Sequence, residues 1–186
     1  PKQVMLFEAL EWGVPRYAHS TLLKATDGSK LSKRKGATTV VEYQEEGFLP
    51  SAFVNFLALL GWAPGDGREV YTLDELVEAF SIEGMLKKDT IFDEKKLTWL
   101  NGEHFRSKSI DELLGIASGA WVSAGLIEAS EIGPREPELR QIVALMQPRV
   151  EKVDDFAKAF YFFKEPETYD EAVHKKQWKT DTTEQI

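Results

Sequence analysis

The sequence predicts a mainly α chain with an α+β stretch at its N-terminal end. Three observations carry that prediction. After residue 36, apolar residues recur at helical spacing in segment after segment, twice behind a Ser/Thr-x-x-Glu capping pattern. Before residue 36, the short apolar run Tyr17–Leu23 reads as a strand and leads into an Asp27-Gly28 turn. The 186 residues, 42% hydrophobic and 29% charged, suffice for one or two domains with cores of their own.

The elements follow in order. Residues 2–11 read as a helix with Val4 and Phe7 on one face and Gly13 closing it. The strand Tyr17–Leu23, the turn and a basic run come next. The stretch 37–47, "ATTVVEYQEEG", suits a strand or a helix equally. Pro50 fits the first position of a helix that Gly61 ends, with Phe53, Phe56, Leu57 and Leu60 sharing a face. Gly65-Asp66-Gly67 is a turn. Thr72 and Glu75 form a capping pattern for a helix that directs Leu73, Leu76, Val77 and Phe80 inward. The piece "TIFD" is short and extended. Asp93 caps a short helix carrying Leu97, Trp99 and Leu100, which Asn101-Gly102 should end. Ser109 and Glu112 repeat the capping pattern for a helix to about Ala124, with Gly125 after it. Glu136–Met146 is amphipathic and Pro148 breaks it. Val153–Phe163 is the last clear helix, with Val153, Phe156 and Phe160 as its face. Composition shifts near residue 36 and, more weakly, near 108.

Both ends read as cut. Pro1 to Val4 resembles the first turn of a helix, and "TDTTEQI" resembles a helix start with no helix behind it. The expectation is a piece of a longer protein.

Composition excludes several classes. No apolar run approaches 18 residues, which leaves no transmembrane helix in the expectation. The absence of cysteine removes disulfides and thiolate metal sites. His19, His104 and His174 lack metal-ligand spacing, so no metal site is expected within the chain. The net charge is −8, yet residues 24–35 hold five cations and one anion, leaving −12 for the remainder. A nonspecific nucleic-acid binder is usually basic throughout. A local positive patch on an acidic chain points to one focused anion contact.

That patch is Gly28–Gly36, "GSKLSKRKG". Leu31 interrupts the cations Lys30, Lys33, Arg34 and Lys35 and can anchor the run to the body. Asp27-Gly28 and Gly36 bracket it. Several ammonium groups on an anchored loop suit a triphosphate, whose charge builds up in the transition state. Physics alone leaves ATP, an RNA phosphate and plain solvent open as what the loop meets.

The run Lys30–Arg34, "KLSKR", resembles the KMSKS signature of class I aminoacyl-tRNA synthetases. Its flanks are more specific. "AHSTLLKATDGSKLSKRKGATTV", "YQEEGFLPSAFVNFLALLGWAPGDGRE", "FDEKKLTWLNGEHFR" and "LMQPRVEKVDDF" together resemble bacterial-type glutamyl-tRNA synthetases, from Pro1 to about residue 165. The resemblance implies three parts. Residues 1–36 would be the last helix and strand of a Rossmann-like catalytic domain with its KMSKS-like loop. Residues 37–108 would be a helical stem-contact domain. Residues 109–186 would begin a helical anticodon-binding region.

It also implies the chemistry: glutamate is activated with ATP as its adenylate, then transferred to its tRNA. Lys33 and Lys30 match the signature lysines and would be the catalytic cations. Lys30, Leu31, Ser32, Lys33 and Arg34 would form the ATP-binding loop. Leu31 stands in place of Met, and Arg34 in place of the last Ser, as in many glutamate enzymes. The HIGH signature and glutamate pocket of the family are absent from this chain. It is therefore expected to be inactive alone and to hold no ATP or Mg2+, which belong to the full-length enzyme. The implied partners are the tRNA for glutamate, ATP and L-glutamate, for a cytoplasmic monomer with no membrane contact.

Arg34, Lys35, His104, Arg106 and Arg149 are candidate tRNA contacts, with Lys95 and Lys96 weaker ones, because cations pair with phosphates. Trp62, Trp99 and the Phe160–Phe163 run could stack on bases, although their helical placement favours packing. The competing expectation is a free-standing, non-catalytic RNA-binding helical module. A truncated paralogue that modifies a tRNA base fits less well, because such proteins resemble only the catalytic part.

Overall fold

Three helices open in the same way. Thr39, Thr72 and Ser109 each take an extended backbone and accept a hydrogen bond from the N–H three residues on. Glu42, Glu75 and Glu112 reach back to the cap N–H. Each box satisfies two amide donors that a helix start otherwise leaves open. The box at Thr39 resolves the ambiguous 37–47 stretch. It starts helix α2 (Val40–Glu45) in spite of two valines, and Gly47 ends it with φ +82°.

The computed structural model describes residues 2–17, 19–31 and 39–164. They fall into two units. The first comprises the described parts of Pro1–Ala37 together with Val54–Glu94, and the second those of Thr38–Phe53 and Lys95–Ile186.

The first unit holds α1 (Lys2–Ala9), strand β1 (Leu23–Lys24), most of α3 (Pro50–Gly61), α4 (Leu73–Ala79) and strand β2 (Thr90–Ile91). β1 and β2 pair in parallel, Leu23 opposite Thr90 and Lys24 opposite Ile91. Parallel strands need a long crossover, and here it carries α2, α3 and α4. Trp62, Tyr71 and Leu76 are buried together, and Phe56 meets Phe92 edge to face at 5.0 Å. The Gly65-Asp66-Gly67 turn takes positive φ at both glycines. Arg68 closes it, with Nε 2.9 Å from Asp66, Nη1 2.9 Å from Glu75, and the guanidinium 4.4 Å above the Tyr71 ring. The Tyr71 hydroxyl donates to Asp66. That bond and the Arg68 pairing lower the Asp66 carboxyl to a pKa of about 2.

Two expectations need correction in this unit. Of the predicted strand Tyr17–Leu23 only Leu23 belongs to β1, which runs on to Lys24; among the described residues before it, Tyr17 and 19–22 are irregular. β2 is only two residues long, so there is no ladder for a longer strand. In α4 only Leu76 is buried, while Leu73, Val77 and Phe80 are 59%, 72% and 57% exposed. The helix is seven residues long, and its cap residue Phe80 is already extended (ψ 128°), so no continuous inward stripe forms.

The second unit packs α2, the start of α3, α5 (Glu94–Ser107), α6 (Ile110–Ser123), α7 (Ile132–Met146) and α8 (Asp154–Lys158). Its core includes Leu49, Phe105, Leu113, Trp121, Leu139, Val143 and Phe156. α5 does not stop at Asn101-Gly102 as expected. Asn101 is fully buried, and its side chain is used elsewhere than in a cap: Oδ1 accepts from the Leu49 N–H (2.9 Å) and Nδ2 donates to Glu151 O (2.5 Å). Tertiary bonding thus overrides a helix-ending signal.

α7 begins at Ile132, four residues earlier than the amphipathic pattern. The predicted helix Val153–Phe163 shortens to α8 followed by a 3-10 turn at Phe160–Phe162. Phe156 O accepts from the indole N–H of buried Trp121 at 3.0 Å and from the Ala159 N–H at 3.3 Å, so both its lone pairs are used without the N–H of residue 160 that a continuing helix would bring.

Candidate functional site

The basic run begins on a small scaffold in the first unit. β1 is its centre, and its carbonyls alternate between two neighbours. Leu22 O and Lys24 O accept from Thr90 N (3.1 Å) and Phe92 N (2.8 Å) on the β2 side. Leu23 O accepts from Leu31 N at 3.0 Å on the other. Lys24 and Lys30 form an antiparallel bridge. The turn between them is held by Ala25 N to Ser29 O (2.8 Å) and by Ser29 N to the Asp27 carboxylate (2.8 Å). Gly28 sits at φ +79°, a left-handed conformation that costs a side-chain-bearing residue energy.

This scaffold presents Lys30 exposed and Leu31 partly covered. Lys30 has no ion pair among the described residues. Leu31 is tied to β1 through its backbone, its N–H donating to Leu23 O. Ser32, Lys33, Arg34 and Lys35 lie outside the described residues.

Asp89, which the sequence reading did not single out, holds the far side of β1. Its Oδ1 accepts from Leu22 N (3.3 Å) and its Oδ2 pairs with Lys24 Nζ (2.9 Å). Those two bonds, Lys24 first, pull the Asp89 carboxyl below its ordinary range. Its separation of 65 positions from Lys24 leaves no local signal for it. The Thr90 hydroxyl donates to Leu60 O, tying β2 to the end of α3.

In the second unit the candidate RNA contacts differ in availability. Arg149 is exposed and lines a cavity of 310 Å3 together with Met146, Val150, Lys158, Tyr161 and Phe162. Arg106 is partly covered, bonded to Glu103 (2.7 Å) and to Pro148 O (3.3 Å). His104 is buried, 5% exposed, with Nδ1 3.1 Å from Ser51 Oγ. Burial, then the charge of Lys108, lowers its pKa, so it is neutral at pH 7.

The aromatics divide in the same way. Trp62 is buried, and Phe163 packs 5.1 Å from Trp121. Phe160 and Tyr161 are about half exposed, at 48% and 53%. The sequence pattern favoured core packing for the whole Phe160–Phe163 run. The 3-10 turn separates its members and brings Tyr161 to the cavity of Arg149. Lys158 was missed there, because its spacing from Arg149 matches no single helix.

Comparison with known families decides what this arrangement belongs to. Residues 1–99 match the family model described as the catalytic domain of class I tRNA synthetases (E and Q). The chain belongs to this synthetase family. Residues 118–186 match a second model, an anticodon binding domain. The glutamate–tRNA ligase of Moorella thermoacetica is 39% identical over 172 residues, 92% of this chain and 35% of that protein. Glutamate–tRNA ligase 1 of Fervidobacterium nodosum is 53% identical over 116 residues, 62% of this chain and 25% of that one.

A crystal structure of a glutamate tRNA ligase from Elizabethkingia meningosepticum, in complex with its amino acid, superposes with a TM-score of 0.83. It is 30% identical and covers 97% of this chain, which spans 39% of that one. The chain thus spans about a third of the length of its synthetase relatives. The β1 scaffold lies in the catalytic-domain match and the Arg149 cavity in the anticodon-domain match.

Proposed function

We propose that this chain is part of a glutamate–tRNA ligase, in which ATP and L-glutamate form glutamyl-adenylate and the glutamyl group passes to its tRNA. The observation that carries this reading is that the basic run starts, at Lys30 and Leu31, on β1 inside a synthetase catalytic match. Lys30 leaves that scaffold exposed, and its charge fits a polyphosphate. Lys33 and Lys30 stabilise the negative charge that develops as pyrophosphate leaves. Leu31, Ser32 and Arg34 complete the loop. Mg2+ arrives with the nucleotide, held by its phosphates.

Residues 1–36 are then the end of the catalytic domain, 37–108 a stem-contact domain and 109–186 the start of the anticodon-binding region. Arg34 and Lys35 meet tRNA near the loop. Arg106 and Arg149 meet it in the second unit, with His104 behind them against Ser51. The cavity of Arg149 is of a size that takes small ligands, and an exposed cation beside Tyr161 suits an unstacked base and its phosphate. The protein acts as a cytoplasmic monomer, and the 186 residues alone neither charge tRNA nor retain ATP.

The test is glutamate charging of tRNA by the full-length gene product beside its Lys33→Ala variant. Loss of one preorganised charge donor should lower the rate by about 10²–10³. A well-folded wild-type protein that charges no tRNA would replace this reading with a non-catalytic RNA-binding module.

A further inference from the structure

We infer that Asp89 is a positioning residue for Lys30 and Leu31, the start of the basic run, acting through Lys24 and the backbone of β1. The inference deepens the ligase reading and rests on it. Three features of the first unit carry it.

The sheet to which Lys30 and Leu31 are joined is minimal. Two strands of two residues, paired in parallel, have little stability of their own. Side chains that fix the register therefore matter more here than in a wide sheet. The only carboxylate that grips both the backbone and a side chain of the β1 segment, among the described residues, is Asp89. It takes the Leu22 N–H at 3.3 Å and the Lys24 ammonium at 2.9 Å.

The loop's first residues are registered on that same segment. Leu31 N donates to Leu23 O, between the two points that Asp89 holds, and Lys30 bridges Lys24. A shift of β1 against β2 therefore moves Lys30 and Leu31 with it. Without Asp89 the amide N–H of Leu22 and the Lys24 ammonium would both lose this partner.

The ion pair itself is a weak source of stability. Its partners are 39% and 41% exposed, and pairs of that kind contribute little to folding. A residue that contributes little to stability but fixes a cation's position should show its effect in rate. A misplacement of about 1 Å can cost about 10²-fold in an enzyme step.

The experiment uses the full-length protein and follows glutamate-dependent ATP–pyrophosphate exchange with active sites titrated, so that misfolded protein does not count. Asp89→Asn keeps an oxygen for Leu22 N–H and loses the charge for Lys24. Asp89→Ala loses both. The expected result is a fall in kcat per active site of about 10-fold for Asn and about 10²-fold for Ala, with the KM for glutamate unchanged. Lys24→Met combined with Asp89→Asn should cost no more than the larger single change, since both act through one contact. Amide exchange at Leu31 should speed up in the Asp89 variants, while Tyr71, held by Asn55 in the same unit, keeps its rate.

Unchanged kcat with unchanged Leu31 exchange overturns the positioning role while the wild type still activates glutamate. Additive losses in the double variant overturn it too. A wild type that never activates glutamate overturns the ligase reading, and the inference with it.

Discussion

Replacing Asn101 with Ala should destabilise the second unit by about 3 kcal/mol. The side chain is fully buried in α5 and joins three segments. Its oxygen accepts from Leu49 N at the entrance to α3. Its nitrogen donates to Glu151 O and, at 3.4 Å, to Gly47 O. Removal leaves the Leu49 N–H unpaired where Leu49 is 6% exposed, a cost of about 1–3 kcal/mol. The Glu151 bond adds about 1 kcal/mol, because its carbonyl can recover water. The small void adds a further increment. Alanine returns about 0.5 kcal/mol through its higher helix propensity. Hydrogen exchange isolates the effect better than a single melting curve, since the chain has two units. Amides of α6 should exchange about a hundredfold faster, and that of Tyr71 in the first unit should stay as it was. Protection in α6 within threefold of wild type would refute the assignment of Asn101 as the structural link.

Other outcomes follow from the same contacts. Gly102→Ala should leave stability near wild type. The added Cβ meets the Arg106 guanidinium at 3.1–3.2 Å, the far end of a flexible side chain, and alanine gains about 1 kcal/mol in a helix. tRNA affinity measured by filter binding should nonetheless fall if Arg106 is a contact. Thr72→Ala should cost about 1 kcal/mol in urea unfolding by removing one side of the α4 box. The Glu112 carboxyl is held at about 2 by the Ser109 backbone, Lys108 and the Ser109 hydroxyl. Its folded pKa lies below the unfolded value, so its contribution is present above about pH 5 and is lost as pH falls toward 2. Glu112→Gln should therefore show a smaller drop in urea midpoint between pH 6 and pH 3 than wild type. His104, also lowered, adds stability above its unfolded pKa near 6.5 that is lost as pH falls through the folded value. His104→Gln should remove that step.

Local signals carried what local chemistry controls. The boxes at Thr72 and Ser109, the stop at Gly125 with φ +65°, and the turn at Gly65-Asp66-Gly67 all stand where the residues put them. Each depends on bonds within about seven positions. Two of the failures have the opposite cause. Asn101 was read as a helix end because its partners, Leu49 and Glu151, lie 52 and 50 positions away. The end of α8 depends on Trp121, 35 positions before Phe156.

The same division runs through the candidate sites. The cations of the loop are visible as a cluster because they are neighbours in sequence. Asp89 is invisible because a parallel pairing brings it to Lys24 only after a crossover. The Arg149 cavity lies between these cases. Arg149 itself was selected on charge, whereas Lys158 joins it from the end of α8 and Tyr161 from the 3-10 turn that follows. Exposure then ranks the cations that charge alone could not. Arg149 is exposed at a cavity wall, Arg106 is engaged by Glu103, and neutral His104 lies inside, so the loss of tRNA affinity on substitution should fall in that order. Equal losses at Arg149 and His104 would mean that the second unit meets RNA through a face other than the one bearing the cavity.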